Sequence, residues 1–455
     1  MEVGFETIGN ATLICYDRVP ILVTDPWIVG SAYFGSWTLS HEIPEEQMDA
    51  IKRCEYVWAS HGHPDHMSGE SLNLLKAKKI LLPNHVGSRT ATGMQREGFN
   101  ISILKDRVWS RLSPRISVLC IADYNQDAIL LLDINGTLVV NLNDASDRGW
   151  RHFVRKVISN YKDTFLLQLS GNGDADMMNF FDEKGVRIEP QAASKYPVGK
   201  SIANAAEAFG VRYVTPFSSL HRYQRADSVW ANRYTTPLEA YRNGFTSKQC
   251  ELLPAFIRYD CLKRDFTEIN PKKNPDRIID PKVFGDDWSE PLARDDFRKI
   301  DVYFRSFSHL QKTMDFINFG VGGKDNRIEF KKRNLKKGIT FEVPRNSLMQ
   351  AVQFEIFDDL LIGNFMKTRL EGEWPQTGLY PEFTPYIAKY GDNGRAKTHE
   401  ELKMYFREYK NRAPLDYLRH RIQYRLFESL RPRIKTNTRL YQFARKTWLL
   451  AQRWI

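Results

Sequence analysis

Cysteine is scarce in this chain: five in 455 residues (Cys15, Cys54, Cys120, Cys250 and Cys261), odd in number and never spaced as Cys-x-x-Cys. That pattern excludes both a disulfide framework and a zinc ribbon. Runs such as Leu13-Ile14-Cys15 and Val118-Leu119-Cys120-Ile121 suit buried strand thiols. Long hydrophobic runs are also lacking, and nothing approaches the roughly 18 consecutive apolar residues of a membrane span. The opening Met1-Glu2-Val3-Gly4-Phe5-Glu6 carries acids and lacks the basic-then-apolar pattern of a signal peptide, so the expected location is cytoplasmic. Internal repeats and low-complexity segments are missing as well. Finally, excess positive charge is missing from most of the chain. The net charge is +11, but residues 411–455 hold eleven Lys/Arg against Asp416 and Glu428. The body is therefore close to neutral, which speaks against a nucleic-acid partner.

What is present supports a sizeable core: 42% of residues are hydrophobic and 13% aromatic. The length suggests about two or three domains. Up to about residue 220, short β-runs alternate with helical stretches. Ile21 to Thr24 reads as a strand ending at Asp25-Pro26, and Tyr56 to Ala59 as another. Glu70 to Lys78 reads as a helix, and Lys79 to Leu82 as a strand broken at Pro83. Ile129 to Ile134 and Thr137 to Leu142 flank Asn135-Gly136, a favoured two-residue hairpin turn. Ser201 to Phe209 reads as a helix stopped by Gly210, and Arg212 to Thr215 as a strand. Residues 270–288, rich in Pro, Asp and Lys, read as an exposed connector. A second globular part follows, with an apolar-rich stretch from Met349 to Leu361.

The densest chemical signal is His61-Gly62-His63-Pro64-Asp65-His66, directly after the strand at Tyr56. Imidazole and carboxylate are the ligands that borderline metals prefer. Residues two apart in an extended segment point the same way, so His61 and His63 can reach one ion. Gly62 leaves room, and Pro64 stiffens the turn presenting Asp65 and His66. Crowded histidines would repel one another when protonated, and packing alone gives them little reason to gather.

This run resembles the His-x-His-x-Asp-His signature of the metallo-β-lactamase superfamily, over roughly residues 1–260. The resemblance implies an α+β fold, an αββα sandwich, here with an additional C-terminal α/β region (261–410) and a basic helical tail (411–455). It also implies two divalent metal ions, zinc or iron, with manganese a further candidate. His61 and His63 would serve site one, and Asp65 and His66 site two. Asp144 would bridge the ions, His221 would close site two, and Asp25 would be the structural aspartate. The family's further site-one histidine has no counterpart: His85 follows the motif too soon. Asp123, ending the run Ile116 to Ala122, is the candidate in its place, and an oxygen ligand there would favour iron or manganese. The other reading is a weak site one and a single ion.

Asp25-Pro26-Trp27, the run to Trp37, Asn141-Leu142-Asn143-Asp144 and Pro216-Phe217-Ser218-Ser219-Leu220-His221 are similar to the branch containing CMP-N-acetylneuraminate hydroxylase and UDP-sugar hydroxylases. Enzymes of that branch feed electrons from a Rieske segment, which needs Cys-x-His and Cys-x-x-His, and this chain has neither. Three expectations follow. The first is a hydrolase in which a metal-bound hydroxide attacks an anionic ester, phosphoester or nucleotide-sugar-like substrate, with Asp65 and Asp144 as catalytic carboxylates. The second is a non-haem iron oxygenase of a nucleotide sugar or glycoconjugate, served by a separate redox partner. The third is a non-catalytic metalloprotein. Arg222 and Arg225, beside His221, are candidate contacts for an anionic substrate. Lys195 and Lys200 are candidate phosphate contacts at a helix start. In the tail, apolar residues interleave with arginines at helical intervals. Trp448 and Trp454 stand beside Arg445, Lys446 and Arg453, a pattern that suits either an anionic membrane surface or packing on the body.

Overall fold

The computed structural model describes residues 1–145, 150–169, 178–190, 193, 197–330, 336–374, 378–379, 383–384, 386–387 and 396–430. Lys195 and the tail residues Arg445, Lys446, Trp448, Arg453 and Trp454 lie outside the described residues.

Strands of the first 270 residues form two large mixed sheets. The eight-stranded sheet contains Val3–Ile8, Thr12–Asp17, Val19–Thr24, Tyr56–Trp58, Lys79–Pro83 and Asn100–Leu104, flanked by Ile257–Asp260 and Asp265–Glu268. The seven-stranded sheet is built around Ile116–Ala122, Ala128–Ile134, Thr137–Asn143, Asp163–Gln168 and Tyr213–Pro216. Period-two alternation explains how they stack. Leu13, Cys15 and Leu22 join Cys120, Leu130, Leu132, Val139 and Phe165 in one buried cluster drawn from both sheets. Their neighbours Ile14, Val23, Leu131 and Val140 instead cluster with helix residues Ile51, Val154 and Ile202. Central strands buried on both faces, with helices outside, make the αββα sandwich of the metallo-β-lactamase fold.

Local chemistry explains the boundaries. Asn135 and Gly136 both take positive φ, 51° and 81°, as a type I′ hairpin turn requires. The helix Val198–Phe209 stops at Gly210 in the left-handed region. The predicted helix from Glu70 is shorter than the sequence suggests, Gly69–Leu74, with the Ser68 side chain accepting the Ser71 amide. All five cysteines are free and buried.

A third, five-stranded sheet carries Phe316–Val321, Lys324–Glu329, Gly338–Glu342 and Lys367–Glu371, with Phe180–Phe181 added at its edge from the earlier part of the chain. Helices Arg294–Arg305, Arg345–Phe354 and Phe357–Ile362 accompany it, the last two occupying the apolar-rich stretch read around Met349 to Leu361. Beyond it, helix His399–Arg412 packs on the first region through buried Tyr405 and Tyr409. Helix Pro414–Leu430 follows and leaves Leu415, Leu418 and Ile422 exposed. Among the described residues, no helix is long and apolar enough to cross a membrane.

The connector after residue 270 is largely exposed, as its composition suggests, and buried charge pins it at Asp286. Arg225 is fully buried, donating to Asp286 at 2.7 Å, to Asp227 and to the Phe34 carbonyl. Its guanidinium lies 3.9 Å from the Phe365 ring centre, and Asp286 also accepts from the Ser347 amide. Arg225 thus ties three parts of the chain together and is not placed to meet a substrate. Arg222 alternates to the opposite side of its strand from His221 and pairs with Asp276 at 2.6 Å. Arg225 is therefore structural here, a correction to the reading that made it an anion contact. An Arg225→Ala variant would leave Asp286 buried without its cation. It should lose about 3–5 kcal/mol of stability, read as a lowered denaturation midpoint.

Candidate metal centre

Parallel strands place the site. Asp25 and the His61 motif follow the carboxyl ends of the adjacent parallel strands Val19–Thr24 and Tyr56–Trp58. Asp144 follows Thr137–Asn143, and the segment to His221 follows Tyr213–Pro216, both in the parallel part of the other sheet. Loops from both sheets therefore gather at one edge of the sandwich, the usual place for a site in sheets of this kind. Their backbones are contorted: Asp25, Asn143, Ser218 and Ser219 have φ of 42°, 40°, 71° and 59°. Non-glycine residues take that region at a cost, and such strain concentrates at functional sites.

The described side chains converge closely. His61 Nε2 and His63 Nδ1 face each other at 3.0 Å. His66 Nε2 lies 3.4 Å from Asp65 and 3.3 Å from Asp144. His61, His66 and Asp144 form one group able to hold an ion, with ligand atoms within 4.8 Å of one another. A second group joins His63 to Asp358 and Asp359. His221 is brought in by pairing with Leu39 in a two-stranded ribbon and stacks on Trp37, ring centres 3.3 Å apart. It is buried, and neither of its ring nitrogens has a hydrogen-bond partner among the described residues. A buried imidazole with two idle nitrogens is costly unless something else occupies one of them.

The carboxylates are held as carefully as the rings. Asp65 accepts from the Tyr33 hydroxyl at 2.5 Å and from Asn10 Nδ2 at 3.0 Å. Asn10 also accepts the Leu220 amide at 2.7 Å, coupling Asp65 to the His221 segment. Asp144 accepts from the Ser218 hydroxyl. Asp25 accepts the Ser60 amide at 2.7 Å, and its other oxygen stands 3.2 Å from His66 Nδ1.

Charge states follow from these contacts. Burial, then neighbouring His66 and His63, hold His61 down to about 3. Burial likewise holds His221 at about 3. Burial also works on His63, but the Asp358 carboxylate outweighs it and raises the ring to about 9. Burial pushes Asp65 and Asp144 upward, yet His66 beside them prevails and keeps both below the ordinary carboxylate range. Burial beside Asp358 raises Asp359 well above it.

Asp123 is not brought to the cluster. Its Oδ1 accepts the Asn125 and Asp127 amides, so it caps the turn between two strands, and it belongs to neither ion-holding group. The Oδ1 of the strand-end position read as a ligand serves the hairpin turn instead. His85 lies against the Ser60 carbonyl at 3.3 Å. Asn10, Tyr33, Ser218 and Asp358 were missed by sequence reasoning. Each is a common residue type with no motif around it, and only Asp358-Asp359, two acids inside an apolar stretch, offered a local signal.

No family model matches the chain. Among curated proteins it is similar to the cytidine monophosphate-N-acetylneuraminic acid hydroxylase of Danio rerio, 27% identical over 134 residues, covering 28% of this chain and 23% of the relative. The protein of the same name from Asterias rubens is 27% identical over 159 residues, 32% of this chain and 24% of the relative. The chain thus spans about a quarter of the length of these relatives. Among solved structures it is similar to CmlA, a diiron β-hydroxylase from Streptomyces venezuelae, with TM-score 0.38 and 14% identity over 59% of this chain and 54% of that one. A diphosphatase of the PhnP family gives TM-score 0.29 and 12% identity over 58% and 85%. Likeness this loose leaves the fold to be defined by the sheet order above.

The two depressed histidines and the raised one have opposite pH signatures. Between about 6.5 and about 3, unfolding lets His61 and His221 take up protons they refuse when folded, so stability falls as pH drops through that window. His63, raised to about 9, contributes stability that is complete below its ordinary 6.5 and lost as pH rises through about 9. Metal-free protein should therefore melt at its highest temperature near neutral pH, checked by calorimetry across both windows.

Proposed function

We propose that the chain is a metal-dependent hydrolase acting on an anionic ester, phosphoester or nucleotide-sugar-like substrate. The observation that carries the metal is the close group of His61, His66 and Asp144, with His221 buried beside Trp37 and neither of its nitrogens hydrogen-bonded among the described residues. His61, His63, His66 and His221 serve as ligands with Asp65 and Asp144, a nitrogen and oxygen set suited to zinc, iron or manganese. Bound there, such ions would bring a water toward ionisation near neutral pH and polarise a carbonyl or phosphoryl oxygen. Asp144, which accepts from Ser218 and lies 3.3 Å from His66, would be the carboxylate shared between two ions. Asp65, fixed by Tyr33 and Asn10, stays ionised and can orient a water or pass a proton to a leaving group.

A second reading is oxygenation, favoured by the curated matches, which are to hydroxylases over the matched segment. The same residues would then hold iron, and electrons would come from a separate redox protein. Protein purified without added ions separates the two. Zinc at about two per chain, with hydrolysis of a phosphoester or ester panel, is the expected result. Iron in its place, with an absorbance change on exposure to oxygen, selects the second reading. Absence of any transition metal, and refusal to take one up, removes both.

The exposed face of Leu415, Leu418 and Ile422, between Arg412, Arg419 and Arg425, supports peripheral contact with an anionic membrane. Vesicles containing anionic lipid should sediment the full chain more strongly than a truncation at Asn411. Equal sedimentation counts against the contact.

A further inference from the structure

Each histidine of the motif turns one ring nitrogen toward the cluster and has an oxygen standing behind the other. Ser60 Oγ stands 2.9 Å from His61 Nδ1, Asp25 Oδ2 stands 3.2 Å from His66 Nδ1, and Asp358 Oδ2 stands 3.2 Å from His63 Nε2. The first two holders belong to the same sandwich as the histidines. The third arrives from helix Phe357–Ile362, 295 residues downstream, in the layer built on the third sheet.

We propose that Asp358 is a positioning residue of the metal centre, so that the C-terminal region completes a site whose ligands all precede residue 222. This deepens the metal-dependent reading above and rests on it. As an ion's ligand the His63 ring would be neutral, with one N–H and one lone pair, and a carboxylate can only accept. Asp358 therefore selects the tautomer with the proton on Nε2 and leaves the Nδ1 lone pair directed where His61 Nε2 also points. In the other tautomer the Nδ1 proton would bond His61 Nε2 across the same 3.0 Å, and the pair would close on itself instead of receiving an ion. Partners that hold the outer nitrogen of a ligating histidine fix ring orientation and raise its basicity.

The helix is well placed to exert that control. Phe357 packs edge-on against Phe304 and Phe341, with ring centres 5.0 and 5.1 Å apart. On the sandwich side, Ser36 Oγ donates to the Gly363 carbonyl at 2.6 Å, and Asn364 Nδ2 donates to the Tyr223 hydroxyl at 2.9 Å. Arg89 donates to the Phe354 and Glu355 carbonyls. Asp358 itself is buried, so its carboxylate is spent on His63 and not on solvent.

The test is metal affinity of the full chain, stripped and then titrated with cobalt(II) or zinc against a competing chelator. Asp358→Asn should fold like the parent and bind metal about 10- to 100-fold more weakly. Its cobalt absorption bands should shift, because one nitrogen ligand is displaced. Unchanged affinity and spectrum, in a variant beside a wild type that does bind, overturns the proposal and leaves the hydrolase reading standing. A wild type that binds nothing overturns both. Loss of one whole ion with the remaining spectrum intact shows Asp358 to be a ligand of a separate ion, and also overturns it. Should the asparagine variant fail to fold, Asp358→Glu gives the same reading: lowered affinity supports the role, parental affinity removes it.

Discussion

Desolvated imidazoles and carboxylates, packed at the carboxyl edge of two sheets, are the constraint to which the rest of the molecule answers. His61, His66, Asp25 and Asp65 are nearly or wholly removed from water. Buried groups of this kind are costly unless each is paired or coordinates an ion. The surrounding contacts address that cost atom by atom. Tyr33, Asn10, Ser218 and the Ser60 amide satisfy carboxylate oxygens, Ser60 and Asp358 meet the outer nitrogens of His61 and His63, and the Asp25 carboxylate lies 3.2 Å from the outer nitrogen of His66 as a charge contact. What faces inward is a set of nitrogen and carboxylate oxygen atoms gathered within 4.8 Å, in which His61, His66 and Asp144 could hold a cation.

Holding those groups requires a scaffold that does not yield. The strained backbone at Asp25, Asn143, Ser218 and Ser219 sits where each strand of the sandwich gives way to a site loop. Its cost is offset by the inter-sheet core, whose strands are buried on both faces. Stacking of His221 on Trp37 uses an aromatic plane to fix a ring that has no hydrogen bond to fix it.

The third sheet is joined to this scaffold by charge as much as by apolar contact. Arg225, Asp227 and Asp286 form a buried network whose members come from the sandwich and from the connector, and Ser347 and Phe365 bring in the C-terminal layer. Through the same interface the layer presents Asp358 to His63. A residue late in the chain thereby stands 3.2 Å from a residue near its start.

Much of this was written locally. Alternation and turn chemistry identified the strands at Ile21, Tyr56, Lys79, Ile129, Thr137 and Arg212, the Asn135-Gly136 hairpin and the helix ending at Gly210, but not Asn100–Leu104 or Asp163–Gln168. The spacing in His61-Gly62-His63-Pro64-Asp65-His66 put four ligand types in six residues, a density that owes nothing to tertiary context. Elsewhere local pattern misled. Asp123 and Asp144 both end strands, and sequence alone does not say which carboxylate turns into a hairpin and which turns toward histidine. Arg225 neighbours a candidate ligand in the chain, but a buried acid, Asp286, claims it. Spacing and propensity act over a few residues, and so the sequence by itself determined the elements and the motif. Which side chains stand behind the ligands depended on contacts spanning up to 295 positions, such as Asp358 on His63. Only packing of the sheets against one another decides those, because no local preference encodes a partner that far away.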